Sequence, residues 1–502
     1  MSSLPPDIPA AVSDPPSPDG EPPRLADAPE TSNASKLSRT VRAFGLLAAA
    51  NLAGSVLGFA ALAFVARRAG PSGLGAYNFD LALAAYAGLV ANLGISYLAT
   101  RDIATEPASA PRALRETVLI QGALSIVLYV ALVLTAPLIV NDPQERALVP
   151  VVALIVPVTT LILDWALLAL RRSPVVAVWR VAGQVVYAAL IFAFLGHSHA
   201  VLKYSWFNVV GLIVTMGGIL FALRRVIIAR VDRITPGDLV RRARRSLPFG
   251  YTLIMLQVYA SIAVPLLGFL VSTEVVGIYS AALRLPAALI GIANVWLNVF
   301  FPHGSASFAS DRRRFLQDIG HTLTATIVLA GAVATAGPLC ARDLMPALFG
   351  PKFAAAAGPF ALLSVASALI LVQATTSNSL LASGRERSYA RIITVVAVGL
   401  LACDLAVIPL WGAMGAAAVS VLAESSIVAL TVIGVQRGVG PFPVDWRRVS
   451  RGALAITIMA AATAAARTSR LALVEIAVAT VTFCAAAIAL KAFDPALVRR
   501  RP

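Results

Sequence analysis

Charge, histidine and cysteine are all scarce in this chain of 502 residues. Only 13% of the residues are charged, about half the share of an ordinary soluble domain, which excludes a molecule solvated on every side. The three cysteines, Cys340, Cys403 and Cys484, stand far apart in or beside apolar runs, so neither a disulfide framework nor a thiolate metal site is expected. The four histidines, His197, His199, His303 and His321, match no ligand spacing on one helix. No cofactor is therefore expected. Acidic residues are also few, 25 against 41 lysines and arginines.

What fills the chain is apolar. Hydrophobic residues make up 58% and the mean hydropathy is +0.81, and windows of about 20 apolar residues, enough to cross roughly 30 Å of hydrocarbon as helix, recur from residue 42 onward. The expected class is an all-α integral membrane protein with fourteen spans. They lie near 43–66, 76–100, 117–140, 147–170, 174–195, 205–223, 248–272, 277–302, 319–341, 355–377, 391–410, 412–435, 452–467 and 471–490. Residues 1–38, rich in proline, serine and acid, have no apolar set to offset the entropy of ordering and are expected to be a disordered tail. No basic segment followed by a short apolar one opens the chain, so a cleaved signal peptide is not expected.

Charge placement orients the spans. With the amino terminus inside, roughly 30 lysines and arginines fall in cytoplasmic segments and roughly 8 outside. Both termini are expected in the cytoplasm, and the basic stretch 226–246 is expected to be a linker on the anionic leaflet. Topology thus accounts for most of the net charge of +16, and nucleic acid is not expected as a partner. The glycine-rich stretch "RRAGPSGLGAYNF" (67–79) joins two spans on the outer side. A phosphate-binding loop should follow a strand and face the cytoplasm, so the stretch reads as a turn.

That turn has a counterpart. "LVSTEVVGIYSAALRL" lies between the seventh and eighth spans, and an offset of 202 residues aligns Gly75 with Gly277, Tyr77 with Tyr279, Leu83 with Leu285 and Asn92 with Asn294. Six spans separate the copies, so the two halves are expected to run in the same sense, related by an axis along the membrane normal.

Taken in order, "GPSGLGAY", "NLGISYLATRDIA", "VGIYSAALRL", "NVFFP", "LLASGRERSYARI" and "WGAMGAAAVSVLAE" resemble the oligosaccharide flippases, the polysaccharide-transporter branch of the multidrug/oligosaccharidyl-lipid/polysaccharide exporter superfamily, over roughly 39–490. The resemblance implies two six-helix lobes, 39–225 and 247–435, around a central cavity, an extra helix pair at 436–490, a cytoplasmic tail at 491–502, and alternating access. It implies a glycan on polyprenyl pyrophosphate as substrate, turned from the cytoplasmic to the outer leaflet of the plasma or inner membrane. Glycan polymerase and glycosyltransferases of the same pathway are then expected partners, besides membrane lipids.

Intramembrane charge costs about 2.5–3.5 kcal/mol per residue at a helix centre, so the surviving cases are candidates for the transport path. Arg284, Ala287, Gly291, Asn294 and Asn298 share one face of the eighth span. This polar, small-residue stripe suits a watery cavity, with Asn92 in the corresponding stripe of the second span. A guanidinium at 284 binds a pyrophosphate through paired hydrogen bonds that lysine does not reproduce; an interhelical pair or a snorkelling side chain is the alternative. Arg180 is a second anion candidate. The membrane carboxylates are Glu424, deepest in its span, with Asp404, Asp164 and Asp80, candidates for coupling to an ion gradient or for structural pairing. Rival readings are a lipid II flippase, a cation-coupled multidrug exporter, or a membrane glycan polymerase or ligase. The exporter would want an acidic cavity, and the enzymes a large outer loop with acid–base residues.

Overall fold

The computed structural model describes residues 31–140, 142–194, 200–231, 233–288, 311–467 and 471–493, and among them no strand occurs. Asn294 and Asn298, with His197, His199 and His303, lie outside the described residues. The helices are α1 (Thr31–Asn92), α2 (Ile95–Thr105), α3 (Ala110–Ile139), α4 (Pro143–Arg146), α5 (Val149–Ala153), α6 (Ile155–Thr160), α7 (Asp164–Ala169), α8 (Ser173–Phe194) and α9 (Ala200–Ile228). The second half holds α10 (Pro236–Ser261), α11 (Ala263–Leu270), α12 (273–288), α13 (Arg312–Phe349), α14 (Ala357–Ala382), α15 (Glu386–Gly438), α16 (Trp446–Ala466) and α17 (Ala472–Ala489).

Among the described residues nine helices are long and apolar enough to cross a membrane, or ten if the α10–α11 pair, bent by 62°, is one span. Two of these runs are double. Gly70 breaks α1 at φ 72° and Gly412 breaks α15 at φ 52°. A left-handed backbone is strained for any side chain but open to glycine, so a single residue kinks the chain at each place and divides the run into two helices. Only Gly70 serves the turn expected within 67–79. Gly73 and Gly75 already belong to the second segment of α1, where their missing side chains admit neighbours.

Other differences have local causes. Helix begins at Thr31, inside the stretch expected as disordered tail, because no proline interrupts the chain between Pro29 and Pro71. The second span is broken at Leu93 and Gly94, both at positive φ, where Gly94 lies against Phe249 and Gly250 of α10. The fourth span is split into α5, α6 and α7. The linker 226–246 is no separate surface helix: α10 starts within it at Pro236 and continues into the seventh span.

Packing gathers α1, α3, α8 and α9 in one half and α13, α14 and α15 in the other, with α16 and α17 laid together against α13. One end of the bundle collects the arginine-poor loops. There Arg67 donates to the Ala347 and Leu348 carbonyls, and Thr273 Oγ1 donates to Glu145 at 3.0 Å. The arginine-rich loops meet at the other end, where Arg115 donates to the carbonyls of Ile227 and Ala229, Arg312 to Val439 and Arg385 to Gly438.

Candidate functional site

Gly75 and Gly277, matched by the internal repeat, meet at the arginine-poor end. A Cβ on Gly75 would come within 1.6 Å of the Thr273 carbonyl oxygen, and one on Gly277 within 1.9 Å of that of Pro71. Only glycine at both positions lets the second segment of α1 and the start of α12 touch backbone to backbone.

Two turns beyond Gly277, α12 carries Arg284. Its Nη2 donates to Asn78 Oδ1 at 2.7 Å, while Asn78 Nδ2 donates to the Leu74 carbonyl at 2.7 Å. The second bond orients the buried amide so that its oxygen faces the guanidinium. Tyr77, Tyr187 and Tyr204 form an edge-to-face cluster, with ring centroids 4.6 and 5.9 Å apart, within electrostatic reach of Arg284.

Arg284 and the three tyrosines border a cavity of about 610 Å³ between α1, α8, α9 and α12, lined also by Arg180, Gln184, Asn208 and Thr215, with Asn78 behind Arg284. Gly54, Gly58, Gly183 and Gly211 shape its wall. Close contact of α8 with α9 needs the last two, since a Cβ on Gly183 would meet Thr215 Oγ1 at 2.0 Å and the Gly211 carbonyl at 2.4 Å. The cavity has a largely apolar wall that carries two guanidinium groups. Arg180 forms an ion pair with Asp164, whereas Arg284, among the described residues, is held by the neutral Asn78. Arg284 therefore keeps most of its donors and its full charge for an anion.

The remaining candidates are elsewhere. Asn92 Oδ1 accepts from Gln121 Nε2 at 2.9 Å and from the Ser96 amide at 3.3 Å. It bridges the break in the second span and is not among the cavity-lining residues. Asp164, besides pairing with Arg180, accepts from the Trp165 amide at 2.8 Å at the start of α7. In the second half, Glu424 is buried and accepts from the Tyr259 hydroxyl, and its Oε2 has no partner among the described residues. Asp404 is 1% exposed, its Oδ1 without a partner among the described residues, and lies near Tyr279, the repeat counterpart of Tyr77. Asp80 is buried near Glu145 on the arginine-poor side. The structure gathers Arg284 and Arg180 around one cavity and leaves the carboxylates dispersed, and among the described residues no three His, Cys, Asp or Glu side chains come together as a metal site. Sequence reasoning missed Asn78 and the tyrosine cluster. Their signal was weak, being only the place of Asn78 beside Tyr77 in the repeated motif.

The fold is shared with solved transporters. Lipid II flippase MurJ in an inward closed conformation superposes with a TM-score of 0.72 at 14% identity, over 90% of this chain and 100% of that one. A multidrug resistance MATE family transporter of the MOP superfamily, inward-facing, gives 0.58 at 16% identity over 76% and 94%. A MATE transporter in complex with MaL6 gives 0.53 at 15% over 79% and 95%. No curated protein sequence matches the chain. The pattern of one sequence family, however, matches residues 40–308, more than half of the chain. With its multi-pass helical fold, the chain belongs to that family, described as polysaccharide biosynthesis protein.

Proposed function

We propose that this protein is a flippase that carries polyprenyl-pyrophosphate-linked oligosaccharide from the cytoplasmic to the outer leaflet by alternating access, without covalent chemistry. The observation that carries the reading is the membrane cavity in which Arg284 has a neutral partner and Arg180 the single carboxylate Asp164. An arginine-lined, water-accessible cavity offers a diphosphate charge-assisted, bidentate hydrogen bonds in a medium of low dielectric. The family match points the same way, toward polysaccharide biosynthesis.

In this reading the arginine-rich end faces the cytoplasm with both termini, and the membrane is the plasma or inner membrane. The lobes are 39–225 and 247–435, with 436–490 as the extra pair and 226–246 joining the lobes. Glu424 is the preferred coupling group, followed by Asp404, Asp164 and Asp80. Asn294 and Asn298 extend the stripe of Arg284. Polymerase and glycosyltransferases supply and consume the cargo.

Lipid II, another polyprenyl diphosphate, is the second reading, favoured by the superposition over the whole flippase chain. A carrier of cationic drugs suits the cavity poorly, because two guanidinium groups line it and the one carboxylate bonded to them, Asp164, is taken up by Arg180. Deletion of the gene followed by leaflet-resolved lipid analysis tests the proposal. Oligosaccharide-linked polyprenyl diphosphate should accumulate in the cytoplasmic leaflet. Accumulation of lipid II alone would transfer the function to the second reading, and neither lipid accumulating would refute both.

A further inference from the structure

Asn78 and Arg284 sit on different halves of the molecule, Asn78 on α1 and Arg284 on α12. Their hydrogen bond therefore ties the halves together, a short way below the Gly75–Gly277 contact. The tie is weaker than an ion pair, since a neutral amide oxygen, not a carboxylate, accepts from the guanidinium that lines the cavity. A dianionic or trianionic ligand arriving in that cavity outcompetes the amide for the same donors.

We propose that Asn78 is a positioning residue and latch: it presents Arg284 to the cavity while the arginine-poor end is closed, and loses it to a diphosphate when the end opens. The inference rests on the reading of Arg284 as an anion-binding group. Two observations make the latch specific. The Leu74 carbonyl fixes the Asn78 amide, so the acceptor oxygen is aimed before any ligand arrives. The glycine contact next to it sits within one apolar core with Leu74, Tyr77, Phe79, Val276 and Tyr279, so the Asn78–Arg284 bond is a polar tie set in an apolar seam. Arg67, donating to the last carbonyls of α13, and Thr273, donating to Glu145, add further ties at the same end, and none of these residues lines the cavity.

The test uses the full chain in proteoliposomes, with Cys340, Cys403 and Cys484 replaced by alanine and Leu81→Cys introduced in the cavity wall. A membrane-impermeant maleimide applied from the arginine-poor face reports opening of that end, and inorganic pyrophosphate is the probe ligand. With Asn78 present, saturating pyrophosphate should raise the labelling rate about tenfold, the scale of one lost hydrogen bond to a charged group. Asn78→Ala should label about tenfold faster without pyrophosphate and respond little to it. Asn78→Asp should do the opposite: an ion pair with Arg284 keeps labelling slow and raises the half-effective pyrophosphate concentration at least about tenfold. A merely structural asparagine would not move the two variants in opposite directions. Gly75→Ala, which must part the two backbones, should speed labelling with Asn78 in place.

Equilibrium binding of labelled pyrophosphate, measured separately, keeps the two claims apart. Binding that leaves labelling unchanged overturns the latch and spares the anion site. No binding, or binding unaffected by Arg284→Ala, overturns the anion site and with it the release step. Slow labelling in well-folded Asn78→Ala protein overturns the latch whatever pyrophosphate does.

Discussion

At the scale of single residues, the cavity turns on the difference between a guanidinium and any other cation. Arg284→Lys retains charge and loses the planar fork, so flipping should fall by at least about tenfold while membrane insertion, followed by expression and protease resistance, is unchanged. Full transport by Arg284→Ala in a leaflet assay would end the anion-site reading. Glu424 poses a different question. Its single described partner is the Tyr259 hydroxyl, leaving Oε2 without one, a costly state for a buried ionised carboxylate. Glutamine keeps the shape and stays neutral. Glu424→Gln should remove the response of flipping to an imposed proton or sodium gradient and preserve gradient-free exchange. Unchanged gradient dependence in folded protein would move attention to Asp404, Asp164 and Asp80.

At the scale of elements, the start of α10 joins the two halves. Thr235 and Asp238 form a capping box, and Arg242, 10% exposed, bonds Glu116 of α3 at 2.9 Å and Asp102 of α2 at 3.4 Å. The basic stretch expected to lie on lipid thus turns one of its arginines into the first half. The backbone amide and the hydroxyl of Thr235 hold the Asp238 carboxyl below the usual carboxylate range. A depressed carboxylate stabilises the folded cap above the usual range and loses that effect as pH falls through its lowered value. Amide protection factors at 237–241, taken relative to intrinsic exchange at each pH, should therefore fall on acidification below the usual carboxylate range, and in Thr235→Ala they should be low already at neutral pH. The α8–α9 pair makes a second, steric case. Gly183→Val would drive a branched side chain into Thr215 and the Gly211 carbonyl, so thermal unfolding should come earlier, by about 1–3 kcal/mol of lost stability, the usual cost of overpacking.

At the scale of the whole molecule, the alternation of arginine-rich and arginine-poor ends makes topology testable. Reporters fused after residues 70, 145, 275 and 348 should read outside, and those after 108, 235, 310 and 495 inside. A cytoplasmic signal at 275 would contradict the parallel repeat as well as the orientation. The same fusions locate the latch, because Gly75, Gly277 and Arg67 all sit at the end that carries residues 70, 275 and 348.

Sequence by itself determined that this chain spans a membrane many times, with its arginines gathered at alternate loops, because hydrocarbon imposes long apolar runs and topology imposes charge asymmetry. It also revealed the repeat, since Gly75 and Gly277 keep equivalent places in two halves of one architecture. Arg284 and Arg180 were legible as well, because an arginine inside an apolar run stands out. Tertiary structure alone decided which partner each one has. The three tyrosines reach the cavity, and Asn78 and Asp164 reach its two arginines, from helices whose mutual rotation is set by close packing at glycines such as Gly183 and Gly211, and that rotation leaves no periodic trace in any one helix. Asn92, equivalent to Asn294 by spacing, was drawn instead to Gln121 and Ser96, because a helix broken at Leu93 and Gly94 exposes an amide that must be satisfied.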